Sequence, residues 1–328
     1  MAVNRMIKRL AMAVALNAWI LSGAHAAGPD EFPNRPIKIV YPWGPGGLTD
    51  DLARTIAEGL TSRLKQPVVI EYKPGATTIV AASYVARAPA DGYTLLYGSA
   101  PTFAVNISTH RNLSYDPVKD FAPVSRLITT PFFVAASNSL PVKSLADLVA
   151  LARERPGQIS YSTPGIGSVP HLSIERFAQQ TGIKLIHTPY NGVGKQIGDL
   201  VAGHVDFTFH SQVFQNLQSG QLRGLAYTGT HRSKALPSLP TVSEAVLPGY
   251  SAAVWFALAA PAGTPRNIID KLNAAIRDTL AQPAVVARFA EQAIDIDTST
   301  PDELRDQIVR EIPQWRDVIK AAGVDLEQ

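Results

Sequence analysis

The chain has 328 residues, 46% hydrophobic and 17% charged, which suits two α/β lobes and excludes a disordered or fibrous protein. It has no cysteine, so disulfides, thiolate metal sites, a cysteine nucleophile and lipid attachment at a cysteine are all excluded. The 30 Lys and Arg barely exceed the 27 Asp and Glu, and Arg5, Lys8 and Arg9 account for the excess. No basic surplus is left to point to nucleic acid or an anionic membrane.

Those three bases precede an apolar run at residues 10–21, a Ser22-Gly23 break and Ala24-His25-Ala26. This is the pattern of a secretory signal peptide over residues 1–26. The run falls short of the roughly 18 residues a membrane span needs. The expectation is a chain starting at Ala27, exported to a bacterial periplasm and not lipid-anchored.

I-K-I-V-Y at residues 37–41 predicts a strand, and P-W-G-P-G-G-L-T-D predicts a glycine loop after it. Leu52, Ile56, Leu60 and Leu64 recur every fourth residue and predict a helix with Thr49 or Asp50 as N-cap. P-V-V-I-E-Y at 67–72 completes a βαβ unit. A small-residue helix is expected at 78–88 and a strand at 93–97. One long extended segment is expected at 124–136, with Pro131 marking an edge or crossover strand.

A second series then begins. Ser144 and Asp147 form a capping box for a helix to about residue 155. A strand at 158–162 leads into T-P-G-I-G-S, a second glycine loop, and a helix ending at Gly182. Strands follow at 183–187, 204–209 and 222–227, with a helix at 195–202 between the first two. An apolar strand begins at 253, Pro265 opens a helix to 280, and helical patterns lie near 284–292 and 301–322. Alternating β and α elements predict parallel sheets with helices on both faces, and ligands at the carboxyl ends of the strands.

Each glycine loop offers free amides at a helix N-terminus, where amides and dipole together attract an anion. A tight βα turn explains one such loop equally well. Two loops at matched positions favour binding. No phosphate-binding P-loop occurs. A dinucleotide fingerprint is half present: Gly44 and Gly46 occupy the first two positions, Thr49 replaces the third glycine, and Glu71 stands where a ribose-binding acid would. No G-x-S-x-G or H-E-x-x-H occurs. In H-V-D-F-T-F-H, His204, Asp206, Thr208 and His210 alternate with apolar residues, which predicts a half-buried strand. Positions two apart lie about 7 Å apart on a strand, too far for one chelating cluster. Only His210, at the carboxyl end, is within a ligand's reach.

P-W-G-P-G-G-L-T-D-D-L-A-R, P-V-V-I-E-Y-K-P-G-A, A-P-A-D-G-Y-T-L-L-Y-G-S, S-V-P-H-L, T-P-Y-N-G, L-V-A-G-H-V-D-F-T-F and L-P-S-L-P-T-V-S-E-A occur in this order. Together they resemble the Bug family, periplasmic solute-binding receptors of tripartite tricarboxylate transporters. The resemblance covers essentially all of the chain after the leader. It implies an α/β, two-lobed type II periplasmic-binding-protein fold. Residues 27–124 plus 252–328 would form one lobe and 125–251 the other.

It also implies a monomeric receptor, without cofactor or metal, that closes on a small carboxylate and delivers it to membrane permease subunits. One gripping loop matches Trp43, Gly46, Gly47, Thr49 and Asp50. The other matches Thr163, Gly165, Gly167 and Ser168. Ser99 and Asn106 match the pocket-lining segment after the third strand, and Tyr190 and Asn191 a further loop. The family often has Asp where this chain has His210, small residues or proline near Lys195, and His near Phe103. Exchanging an acid for His and adding Lys favours a more negative ligand, a dicarboxylate. Trp43 and Phe103 add the option of stacking on an aromatic one. A sensor with a signalling partner, and an exported dinucleotide-binding enzyme, are the alternatives.

Overall fold

A computed structural model describes residues 32–46, 48–190, 192–292, 294–321 and 323; the expected leader lies outside them. The first strand, β1 (Ile37–Tyr41), is rich in β-branched residues and largely buried, as a central strand demands. In α1 (Leu48–Leu64), Leu52, Ile56 and Leu60 form a stripe with no exposed surface. β2 (Val68–Tyr72) pairs parallel to β1, closing the expected βαβ unit. α2 (Ile79–Ala86) leads to β3 (Thr94–Ser99), parallel to β1 on its other side. Two short helical turns follow, Pro101–Val105 and Asn106–Thr109.

The segment expected as one strand at 124–136 is two. β4 (Phe121–Pro131) belongs to one sheet and β5 (Phe133–Ser137) to the other, so the chain changes lobes at Phe132. Pro131 cannot donate to a ladder, which suits the end of a strand. The second series comprises α3 (Leu145–Glu154), β6 (Ile159–Thr163), α4 (Val169–Thr181), β7 (Leu185–Pro189), α5 (Val193–Ala202), β8 (Phe207–His210) and β9 (Leu222–Tyr227). The Ser144–Asp147 capping box is present, and Gly182 ends α4 at φ 68. The chain then continues through β10 (Ala253–Pro261), α6 (Arg266–Leu280), α7 (Pro283–Ala290), β11 (Asp295–Ile296) and α8 (Pro301–Ala321).

The sheets have the orders β11-β4-β10-β3-β1-β2 and β7-β6-β8-β5-β9. Neither is wholly parallel, contrary to expectation. β10 runs antiparallel to β3 and β4, and β5 antiparallel to β8 and β9. The reason is connectivity. These two strands carry the chain from the hinge into a lobe, so they point away from the hinge while the parallel strands point toward it.

Register then locates the cleft. Phe133, first in β5, pairs with His210, last in β8. Phe256, early in β10, pairs with Ser99, last in β3. The carboxyl ends of the parallel strands in both lobes therefore lie at the hinge edge. The two crossings are tied there by Thr228, whose hydroxyl accepts the Phe132 N–H at 2.7 Å and donates to the Ala252 carbonyl at 2.5 Å. Behind the hinge, α8 packs on β4, on residues 101–109 and on α4, so one helix touches both lobes. A continuous apolar core runs from Val40 and Leu96 through Phe177 and Phe207 to Trp315.

Candidate functional site

The first glycine loop leaves β1 at Tyr41. Gly46 has φ 97, a left-handed conformation that suits glycine. The helix begins earlier than expected, at Leu48, so Thr49 and Asp50 lie in its first turn and not at its cap. Asp50 nevertheless closes the loop. One carboxylate oxygen accepts the Gly46 N–H at 2.9 Å and Arg54 Nε at 3.0 Å, and the other accepts the Tyr72 hydroxyl at 2.8 Å. Burial works to raise its pKa but is outweighed by these donors, which hold the carboxyl below its usual range. Thr49 is bonded to the Tyr41 hydroxyl at 2.7 Å. Asp50 and Thr49 thus shape the loop from within, and Gly46 has spent its amide on Asp50.

The amides of Trp43 and Gly44 have no partner among the described residues. A Cβ placed on Gly44 or Gly46 would meet nothing within 4 Å, so open space lies in front of this loop. Gly47 lies outside the described residues. Trp43 is half-buried and packs edge-on against Tyr41, Phe256 and Tyr97 at 5.2, 5.9 and 6.2 Å.

The second loop leaves β6 at Thr163. Gly165 and Gly167 have φ 141 and 75. Ser168 caps α4, accepting the His171 N–H and donating to the Gly165 carbonyl at 2.7 Å. The Gly165 N–H goes to Thr163 Oγ1 and the Gly167 N–H to His171 Nδ1. The amides of Ile166 and Val169 have no partner among the described residues, and the Ile166 side chain is 69% exposed. A Cβ on Gly167 would come 3.8 Å from the Thr109 methyl, so this loop approaches the other lobe at the Asn106–Thr109 turn. Each lobe thus presents a loop with two unspent amides at the hinge edge.

The floor between them is polar. Tyr97, Ser99, Thr130 and Phe256 share one face of the six-stranded sheet near the hinge. The hydroxyls of Tyr97, Ser99 and Thr130 are buried without a partner among the described residues. Such orphan donors are costly and call for a partner. Of these only Ser99 was flagged by sequence. Tyr97 was legible as its alternate neighbour on the strand, whereas Thr130 and Phe256 depend on the β4–β10 register. In the other lobe Gln196 is fully buried, and its Oε1 is likewise orphaned.

Several expected residues serve other roles. Phe103 has no exposed surface and stacks on Trp255 at 6.0 Å, so it belongs to the core and offers no face to a ligand. Asn106 is buried and donates to the Thr77 carbonyl at 2.8 Å and the Tyr115 hydroxyl at 3.3 Å, bracing a turn of positive φ. Tyr190 donates to Asp199, and Asn191 lies outside the described residues. His204 and Asp206 precede β8, so the four-residue polar face reduces to Thr208 and His210. Asp206 instead accepts the Ser160 N–H and hydroxyl.

His210 lies at the cleft edge, 5% exposed, and its Nδ1 accepts the Gln212 N–H. Burial pushes its imidazole down to about 4, so it is a neutral N–H donor. Lys195 is exposed and paired with Asp199 at 2.7 Å. Glu71, the ribose-binding candidate, has one oxygen on Lys38 and the other on Lys73, at 2.6 and 2.7 Å, which leaves it no role toward a nucleotide. No cluster of metal-binding side chains occurs among the described residues, and no helix among them is long and apolar enough to cross a membrane. A 270 Å³ cavity behind the hinge, between α8 and Arg176, is lined by none of the loop residues.

Two sheets joined by paired crossovers, with a glycine loop of each lobe at the hinge edge, define the two-lobed fold of a solute-binding protein. The chain belongs to the tripartite tricarboxylate transporter receptor family, whose model matches residues 52–324. It is 36% identical over 301 residues to protein BugT of Bordetella pertussis, covering 91% of this chain and 92% of that one. It is 33% identical over 315 residues to a protein of the tcbD–tcbE intergenic region of Pseudomonas sp. strain P51, covering 95% and 93%. Among solved structures it resembles R. palustris Rpa4515 with adipate, at TM-score 0.79 and 37% identity over 90% of this chain and 99% of that one. It also resembles MatC of Rhodopseudomonas palustris with bound malate, at TM-score 0.74 and 31% identity over 88% and 100%. The protein is a solute-binding receptor and not an enzyme.

Proposed function

We propose that this chain captures a small dicarboxylate in the periplasm by closing its lobes, and hands it as a monomer to the membrane subunits of a tripartite tricarboxylate transporter. The observation that carries the reading is the pair of loops at the hinge edge, one per lobe, each with two backbone amides that have no partner among the described residues. Amides at a helix start suit a carboxylate. The orphan hydroxyls of Tyr97, Ser99 and Thr130, with the neutral N–H of His210, supply donors for the rest of the ligand. A site of neutral donors selects anions without a fixed cation. Adipate and malate in the related structures are both dicarboxylates, which supports the class. With Phe103 in the core, stacking on an aromatic ligand rests on Trp43 alone. The leader over residues 1–26 and the periplasmic names of related proteins support export.

A thermal-shift screen of mono-, di- and tricarboxylates tests this, with adipate and malate first and a nicotinamide dinucleotide as counter-probe. Ligand at 100 times its Kd adds about 2.7 kcal/mol to the folded state. A shift with the dinucleotide and none with any carboxylate would reject the reading.

A further inference from the structure

We propose that His171 and His187 form a proton-gated clasp on the second glycine loop: neutral, the pair holds the loop in its binding shape, and a proton on His171 releases it. The inference rests on reading residues 163–168 as a ligand jaw, and it assigns two positioning residues that touch no ligand themselves.

The clasp grips the loop at two points. At its start, Thr163 Oγ1 lies 2.6 Å from His187 Nε2. Near its end, the Gly167 N–H donates to His171 Nδ1 at 3.1 Å. The two rings, from β7 and α4, stack with centroids 4.1 Å apart and planes at 17°. Tyr161 of β6 extends the column, its ring 5.0 Å from His187 and its hydroxyl donating to Glu175. Both histidines are buried or half-buried behind the loop.

The arrangement tolerates only a neutral His171. A proton on His171 Nδ1 would turn the acceptor of the Gly167 N–H into a donor pointed at a donor. Charging both rings would set two cations face to face at stacking distance. Tyr161 from β6 and Glu175 from α4 are the titratable groups beside the column, and the Glu175 carboxylate is taken up with the Tyr161 hydroxyl. Across the loop, the facing turn of the other lobe presents Thr109, with His110 bonded to its hydroxyl. No acid is ion-paired to either ring among the described residues. Glu175 sets a negative charge near the column, yet burial outweighs it and both rings stay depressed.

The direction of titration agrees. Burial, with His187 adding to it, pushes His171 down to about 4, and burial lowers His187 as well. A histidine depressed in the clasped state takes up its proton as the loop releases. The clasp is therefore at full strength above the free imidazole value near about 6.5 and weakens as pH falls from there toward about 4. For His171 alone, the ratio of clasped to released loop falls on the order of 20–30-fold between pH 7.5 and 5. The Ser168 cap and the Tyr190 N–H to Thr163 carbonyl bond need neither histidine, so α4 and β6 persist while the loop opens.

The test is hydrogen–deuterium exchange of the 163–168 peptide in ligand-free protein between pH 7.5 and 5, corrected for intrinsic exchange. A ring-by-ring NMR titration accompanies it. Expected are His171 and His187 titrating below the free imidazole value of about 6.5, and loop protection falling at least tenfold by pH 5. The double variant H171N/H187Q keeps an acceptor at each position without a titratable ring and should hold its protection at pH 5. H171N alone, which removes the ring that meets the Gly167 N–H, gives the same comparison if the double variant does not fold. Protection that is flat with pH in the wild type, or that falls equally in the variants, overturns the proposal. Calorimetry with adipate in both proteins cancels adipate's own protonation. Affinity lost only in the wild type supports the clasp, and equal loss in both overturns it. A pH-dependent loop without adipate binding at any pH would reject the adipate reading and leave the clasp standing.

Discussion

Asp50→Asn is the sharpest probe of how the first jaw is built. The Asp50 side chain is 5% exposed and its two oxygens accept the Gly46 N–H and the Tyr72 hydroxyl, besides Arg54. Asparagine keeps one oxygen for Tyr72 but turns an N–H₂ toward the Gly46 N–H, donor against donor. One charge-assisted hydrogen bond, worth about 1.5–3 kcal/mol, is lost, and the two facing donors must part. The expected cost is roughly 2–4 kcal/mol of folding stability, a fall in Tm of about 5–10 °C. Urea unfolding followed by tryptophan fluorescence measures it. Because the native carboxyl is depressed, its contribution is present above the free value near about 3.9 and is lost as pH falls through the native one. The difference between wild type and variant should therefore shrink only under acid conditions below that value. Carboxylate affinity should drop as well, since Gly46 is no longer tethered. A loss below about 0.5 kcal/mol, which is the scatter of neutral surface changes, would refute the internal-brace account.

Gly44→Ala separates binding from folding: its Cβ meets nothing within 4 Å, so stability should stay within about 0.5 kcal/mol while carboxylate affinity falls at least tenfold by calorimetry. Phe103→Ala should cost about 3–5 kcal/mol by cavity formation in denaturant titration, with the ranking of aromatic against aliphatic carboxylates unchanged, because the ring is wholly in the core. Thr228→Val removes the hydroxyl that joins the two crossings and leaves the buried Phe132 N–H unpaired. It should cost about 1–3 kcal/mol and broaden the distribution of lobe angles seen by small-angle scattering, without altering the loops' shape. His210→Phe should weaken dicarboxylate binding with no change in its pH profile between about 6 and 8, since the native ring is neutral throughout that range.

Local patterning carried much of this molecule. The stripe of Leu52, Ile56 and Leu60 at every fourth residue, the Ser144–Asp147 capping box, the stop at Gly182 and both glycine loops were legible in the sequence. Each depends on residues within a few positions of one another, where helical and strand periods act directly. The quoted motifs, in order, also sufficed to name the family.

Tertiary structure decided how those parts are used. Asp50 reads as a helix cap locally, yet its proton acceptors are committed to Tyr72, 22 residues away, as well as to its own loop. Phe103 reads as a ligand-stacking ring until Trp255, 152 residues later in the chain, lies flat against it. His210 reads as the end of a strand within a ligand's reach, and burial between strands that meet only in the folded sheet makes it a neutral donor there. The split at Phe132 and the reversed β5 and β10 follow from which lobe each strand enters. Periodicity encodes a residue's local conformation. Its charge, its exposure and the partner of its last hydrogen bond are set by neighbours that only the completed fold brings near.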